Sequence, residues 1–248
     1  MSYIRIIPSI LISDGKCIKG KRFENHINVG NPVTTAISFD SQKADEIFLI
    51  DINAYRKKIT PDYKTLSLIS ENISTPLTFG GNICSIEDIK NSFKFGADKI
   101  YLNSYLYKDC NLINEAIGIY GSQSIVGGIN LTKKHNDYSV FGENNNLDPI
   151  KHLNKLVKAG VGELKITFVD YEGMRSGLDN DYCKYINENI NVPCIFEGGI
   201  GSLEDIKSSI MSGTDSIALG SLLYFSDYNV VKIKKYLINE KLPVSLDY

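Results

Sequence analysis

Short apolar runs alternate with amphipathic stretches along the whole chain. The runs Ile4–Ile12, Ile47–Ile52, Leu77–Phe79, Ile100–Asn103, Ile125–Ile129, Leu164–Val169, Cys194–Phe196 and Ile217–Leu219 are near-continuously apolar, as parallel strands covered on both faces must be. Between and after them, Val33–Ala44, Tyr63–Glu71, Ile86–Phe95, Leu112–Tyr120, Pro149–Ala159, Asp181–Asn189, Leu203–Met211 and Val230–Leu237 place apolar positions at helical spacing. Eight strands, each followed by a helix, predict an α/β fold of the (β/α)8 TIM-barrel type. An open doubly wound sheet is the alternative architecture. The polar stretch His135–Asn146 reads as a mobile loop.

An internal repeat favours the barrel. PLTFGGNICSIEDIKNSFKFGADKIYLNS begins at Pro76, and PCIFEGGIGSLEDIKSSIMSGTDSIALGS begins at Pro193. The two align without a gap, and 15 of their 29 positions are identical. The offset is close to half the 248 residues, so one domain made of two half-barrels, about 1–121 and 122–248, is expected. Two four-unit halves close naturally into a ring. In each copy a serine, Ser85 or Ser202, precedes an aspartate, Asp88 or Asp205, by three residues, which marks a helix start.

Composition narrows the function classes. A net charge of −2 leaves no global footprint for nucleic acid. Five cysteines, scattered and odd in number, read as free thiols of a reduced, cytoplasmic protein. Their spacing suggests no metal site, and no cofactor is expected. The opening MSYIRIIPSILI is interrupted by Arg5 and reads as a first strand rather than a signal peptide. No run is long enough to span a membrane.

In a barrel of this kind, chemistry sits where the strands end. Gly80 and Gly81 with Asn103 and Ser104 form one candidate phosphate cradle, and Gly198 and Gly199 with Gly220 and Ser221 form the other. Glycines let backbone N–H groups approach phosphate oxygens. Two ordinary strand–helix turns are the bland reading. Duplication favours opposed cradles for a substrate with a phosphate at each end.

The stretches RIIPSILISDGKCIKG, ADEIFLIDINA, PLTFGGNICSIEDI, FGADKIYLNS, GSQSIVGGIN and GVGELKITFVDYEGMRSGLD, with the second glycine repeat, resemble the HisF-type cyclase subunit of imidazole glycerol phosphate synthase. The resemblance spans nearly the whole chain. It implies a glutaminase partner (HisH-like) on the N-terminal face of the barrel. It further implies ammonia passing through the barrel to a two-phosphate substrate. The family's catalytic aspartates end the first and fifth strands, where this chain has Leu11 and Asn130. Neither side chain can serve as a general acid or base. Possible substitutes are Asp51, Glu172 and Lys19; Lys19 matches the family's loop lysine but, in a mobile loop, reads as a solvated charge. The family's ring of four charges corresponds to Arg5, Glu46, Lys99 and Glu163, read as an ammonia gate, with Asp98 beside it at the partner interface. Paired charges that merely close the barrel are the structural alternative. Residues above the ring are expected to be small or apolar, with Tyr101 narrowing the passage.

Strand alternation points Lys165 and Glu197 into the barrel, where the family has an apolar residue and a hydroxyl, and the two are expected to pair. A carboxylate there should weaken the second phosphate cradle. The pattern resembles a branch of HisF-like barrels linked to sugar amidation in surface-polysaccharide pathways. Three readings follow. One is an ammonia-conducting subunit serving a separate sugar amidotransferase. Another is a histidine-biosynthesis cyclase, a lyase, with rebuilt catalysis. The third is a structural or regulatory partner without catalysis.

Overall fold

The computed structural model describes residues 3–107, 110–135, 137–142 and 146–246. Eight parallel strands form its centre: β1 (Arg5–Ser13), β4 (Ile47–Asp51), β5 (Leu77–Gly80), β6 (Lys99–Leu102), β7 (Ile125–Lys134), β9 (Glu163–Phe168), β10 (Cys194–Glu197) and β11 (Ser216–Leu219). They neighbour one another in that order, and β11 returns to β1 with Arg5 opposite Ser216 and Ile7 opposite Ala218. The sheet is therefore a closed barrel, not the open alternative. Closure leaves no unpaired edge among these strands.

Helices α1 (Pro32–Ser41), α3 (Tyr63–Ser70), α4 (Ile86–Lys94), α5 (Asn111–Tyr120), α6 (Pro149–Ala159), α7 (Asn180–Asn189), α8 (Leu203–Met211) and α10 (Val230–Asn239) surround it. The repeated serines act as expected. Ser85 and Ser202 each accept a hydrogen bond from the backbone of Asp88 or Asp205, whose carboxylate answers the serine's own N–H. Between barrel and helices lies the main core, with Ile10, Leu49, Phe79, Ile129, Phe168, Phe196 and Leu219 pointing outward against the helices. A smaller cluster fills the inside: Ile7, Phe48, Tyr101, Val126, Ile195 and Ala218. The two clusters are the two faces of alternating strands.

Three additions crown the C-terminal end of the barrel. Strands β2 (Lys16–Lys21) and β3 (Glu24–Gly30) form an antiparallel hairpin after β1. Short helices α2 (Ile52–Lys57) and α9 (Ser221–Tyr224) follow β4 and β11. Strand β8 (Asp137–Val140) pairs antiparallel with the extended end of β7, so four residues of the stretch expected to be a loop form the second strand of a hairpin. Residues 136 and 143–145 of that stretch lie outside the described residues. Among the described residues no helix is long and apolar enough to cross a membrane, and no group of three metal-binding side chains occurs.

Candidate functional site: the two ends of the barrel axis

The strand starts bring four charges together at one end. Arg5 reaches Glu46 at 3.2 Å and also pairs with Glu163, while Lys99 bonds Glu46 at 2.9 Å and Glu163 at 3.0 Å. The order around the axis is positive, negative, positive, negative, and the ring closes. Both glutamates are buried, and both cations keep about a quarter of their side-chain surface exposed. Burial alone would lower the pKa of Arg5 and of Lys99. The two carboxylates outweigh it and hold both cations above their ordinary values. Two hydroxyls that sequence reading missed complete the ring. Thr78 donates to Glu46, and Ser216 accepts from Arg5 Nη2 at 2.8 Å. Register was the available signal, because Thr78 lies opposite Lys99 and Ser216 opposite Arg5.

Asp98 is exposed beside the ring, but its carboxylate also accepts the backbone N–H of Leu77 at 2.8 Å. Asp45 does the same for Ile6 at 2.7 Å. Asp45 before Glu46 and Asp98 before Lys99 are thus clasps between neighbouring strands.

Above the ring the axis is filled. Tyr101 is 7% exposed, and its ring meets Phe48 edge-on with centroids 5.8 Å apart. It fits only because two neighbours lack side chains: a Cβ at Gly80 would stand 2.7 Å from its Cδ1, and one at Gly128 2.5 Å from its Cε2. Lys165, 1% exposed, pairs with Glu197 and donates to Thr167 Oγ1 at 3.0 Å. Burial would raise the Glu197 pKa, but the Lys165 and Lys19 ammoniums overcome it and hold the carboxyl down at about 2. The interior above the ring is mostly apolar, with Phe48 and the expected Tyr101 as its large rings and Lys165 as a buried charge among them.

The C-terminal end holds the remaining candidates. Leu11, near the end of β1, and Asn130, within β7 opposite Thr167, are half-buried. The backbone N–H of Asn130 donates to Tyr107 Oη at 3.4 Å, and its carbonyl accepts from Phe141 at 2.8 Å. Asp51 is committed to its own loop. One oxygen accepts from Ala54 N at 2.9 Å and the other from Asp62 N at 3.0 Å, although burial keeps its pKa raised. It caps α2, and each of its oxygens is already engaged by one backbone N–H.

Lys19 is not a solvated loop charge. It lies on β2 of the hairpin, 2% exposed, with its ammonium 5.2 Å from the Tyr224 ring centroid. Burial lowers its pKa against the pull of Glu197 and Glu172. Glu172 is buried as well, and burial raises its pKa although Lys19 opposes this. Lys19, Glu172, Glu197 and Lys165 thus form one group of coupled buried charges beneath the hairpin.

The cradles differ. Gly81, at φ 135°, makes the first turn, where a Cβ would meet the Asp51 carbonyl at 2.4 Å. Gly80 belongs to the strand and serves Tyr101 instead. Asn103 donates to Tyr101 Oη at 3.0 Å, and Ser104 opens a single 3-10 turn. In the second cradle Gly198 and Gly199, at φ 116° and 102°, run close to Phe168 and Gly177. Together with Gly220, Ser221, Glu172 and Glu197 they line a small concavity of about 20 Å³. Arg175, which sequence reading did not single out, also lines it and donates to the Ser221 carbonyl at 3.1 Å. Lys19 Nζ stands only 2.8 Å from where a Gly220 Cβ would be. The repeat itself shows the asymmetry, since Glu197 occupies the place of Gly80.

Comparison with known proteins agrees with this architecture. The histidine biosynthesis protein family matches residues 5–229. The imidazole glycerol phosphate synthase subunit HisF of Clostridium botulinum (strain Alaska E43 / Type E3) is 36% identical over 248 residues, covering 97% of this chain and 98% of that protein. The subunit of the same name from Prochlorococcus marinus (strain NATL1A) is 35% identical over 252 residues, covering 98% of both. That from Dehalococcoides mccartyi (strain CBDB1) is 30% identical over 248 residues, again covering 98% of both.

Proposed function

The chain belongs to the histidine biosynthesis protein family, and from that membership we propose that it is the HisF-like barrel subunit of a glutamine amidotransferase complex. In this reading a glutaminase docks over the charged ring, and its ammonia enters the barrel between Arg5, Glu46, Lys99 and Glu163. Nitrogen is transferred to a sugar in polysaccharide biosynthesis, on a separate amidotransferase. The observation that carries the reading is the contrast between the two ends. The ring is complete and closed, while Leu11 and Asn130 stand where an acid and a base would act. A ring of opposed charges suits a small neutral molecule, because its groups satisfy one another and a side-chain shift is enough to open it.

A second reading keeps the histidine-pathway cyclisation. Its support is the name and full-length similarity of the relatives, together with Lys19, Glu172 and Glu197 gathered under the hairpin. General acid–base groups contribute about 10²–10⁴-fold each, so the loss of both family acids separates the readings sharply. The deciding experiment supplies the family's two-phosphate substrate and ammonium directly to the purified chain. Turnover at an ordinary enzymatic rate establishes the cyclase. Negligible turnover, together with stimulation of a cognate glutaminase that Lys99→Ala alters, establishes the ammonia-handling subunit. Failure of any glutaminase to bind overturns it.

A further inference from the structure

The surroundings of Lys165 are more specific than an ion pair requires. Its ammonium meets the Glu197 carboxylate and the Thr167 hydroxyl, and it lies over two aromatic faces, 5.5 Å from the Phe48 centroid and 5.3 Å from that of Tyr101. Both distances are within the range at which a ring quadrupole attracts a cation. These groups come from β4, β6, β9 and β10, so they converge from around the barrel rather than from one side. Glycines at 80 and 128 make the room that lets Tyr101 stand there. A space-filling ion pair needs the carboxylate alone. A carboxylate, a hydroxyl and two ring faces form a complete coordination shell for an ammonium group.

We propose that the middle of the barrel is an ammonium-binding cage whose occupant is the chain's own Lys165. The tethered cation stands on the axis between the charged ring and the second cradle. A free ammonium ion arriving there meets a filled shell and a like charge. Uncharged ammonia meets neither obstacle in the same degree. Lys165 is therefore the element that selects the neutral form, and this last clause rests on the ammonia-handling reading above. The cage itself does not rest on that reading.

The test vacates the cage and offers it replacements. Lys165→Ala removes the side chain beyond Cβ, and Lys165→Met keeps most of the stem while deleting the ammonium. Unfolding temperatures are measured in sodium, potassium, ammonium and n-propylammonium chloride at equal ionic strength. A cation that binds only the folded state raises the unfolding temperature saturably. The alanine variant should be stabilised by ammonium and more by n-propylammonium, whose chain fills the vacated stem. The methionine variant should respond to ammonium and not to n-propylammonium. Potassium, which donates no hydrogen bond to Glu197 or Thr167, should act less than ammonium. The wild-type protein should not distinguish the salts. Adding Glu197→Gln to either variant should abolish the response. If Lys165→Ala does not fold, Lys165→Met carries the test. Equal behaviour of Lys165→Met in sodium and ammonium, or a response that survives Glu197→Gln, overturns the cage. A responsive cage in a chain that binds no glutaminase leaves the cage standing and removes the reading of its purpose.

Discussion

Substituting Gly128 by alanine tests the packing of the barrel interior by the sign of its effect. Gly128 lies within β7 and is not among the residues of positive φ, so alanine meets no backbone conflict there. In an ordinary strand the change from glycine to alanine stabilises by about 0.5–1 kcal/mol. Here the new Cβ would stand 2.5 Å from both Cε2 and Oη of Tyr101 and 2.6 Å from Cζ. The ring has little room to retreat, because a Cβ at Gly80 on β5 would already stand 2.7 Å from its Cδ1. Overpacking of a well-filled core costs about 1–3 kcal/mol, which reverses the sign. At about 2–4 °C per kcal/mol for a domain of this size, Tm should fall by roughly 2–12 °C. The assay is thermal unfolding of Gly128→Ala in the wild-type background and in one carrying Tyr101→Leu. With the ring removed, the alanine should be neutral or stabilising, giving a coupling of about 0.5–3 kcal/mol between the sites. A Gly128→Ala protein as stable as its parent, or one that loses equally in both backgrounds, would show that Tyr101 does not occupy the slot between these strands.

Other expectations follow from the charges. Lys99→Ala should destabilise, but by less than the about 3–5 kcal/mol of a lone buried pair, because Arg5 still reaches both glutamates; denaturant unfolding measures it. Glu197 has a folded pKa of about 2, below its ordinary 4.5. Its contribution is complete above the ordinary value and is lost as pH falls from there towards 2, so Glu197→Gln should be less stable at neutral pH and flatten the acid limb in that window. His152 is buried against Tyr107, and burial, then Lys155, lowers its pKa to about 4. The unfolded chain therefore takes up the proton first, and stability is lost as pH falls from about 6.5 to 4. An NMR titration should find the imidazole neutral at pH 6, and a His152 that titrates near its ordinary value refutes its burial. Asp51→Ala should cost about 1 kcal/mol as a lost helix cap, with little effect on any cyclase rate; a large loss of rate would make Asp51 a catalytic group.

The barrel was legible because its strands are buried on both faces. A run such as Ile47–Asp51 has no polar face to disguise it, and the capping serines mark the helices that follow Gly81 and Gly199. The hairpins were not legible for the opposite reason. Strand β3, Glu24–Gly30, is mostly exposed and carries no apolar alternation; its pairing with β2 holds it. Because the hairpin was unseen, Lys19 looked like a solvated loop charge when it is among the most buried side chains. Alternation along the strands was enough to direct Lys165 and Glu197 inward. It could not tell how much space Gly80 and Gly128 cede to Tyr101, since that depends on three strands at once. Asp51 ended a strand as expected, yet the backbone of the following loop claims both its oxygens.

The hairpin that buries Lys19 also sets a clock. Arg22 N–H bonds the Glu172 carbonyl at 3.0 Å, Arg56 bonds the Phe23 carbonyl at 3.3 Å, and Lys57 pairs with Asp14 at 3.1 Å. These ties lace the hairpin to the loops after β4 and β9. A molecule that is to touch Lys19 has to wait until they let go, and it leaves only when they let go again. Arrival and departure then share one opening frequency, so binding there would be slow in both directions and its rate would saturate with ligand concentration.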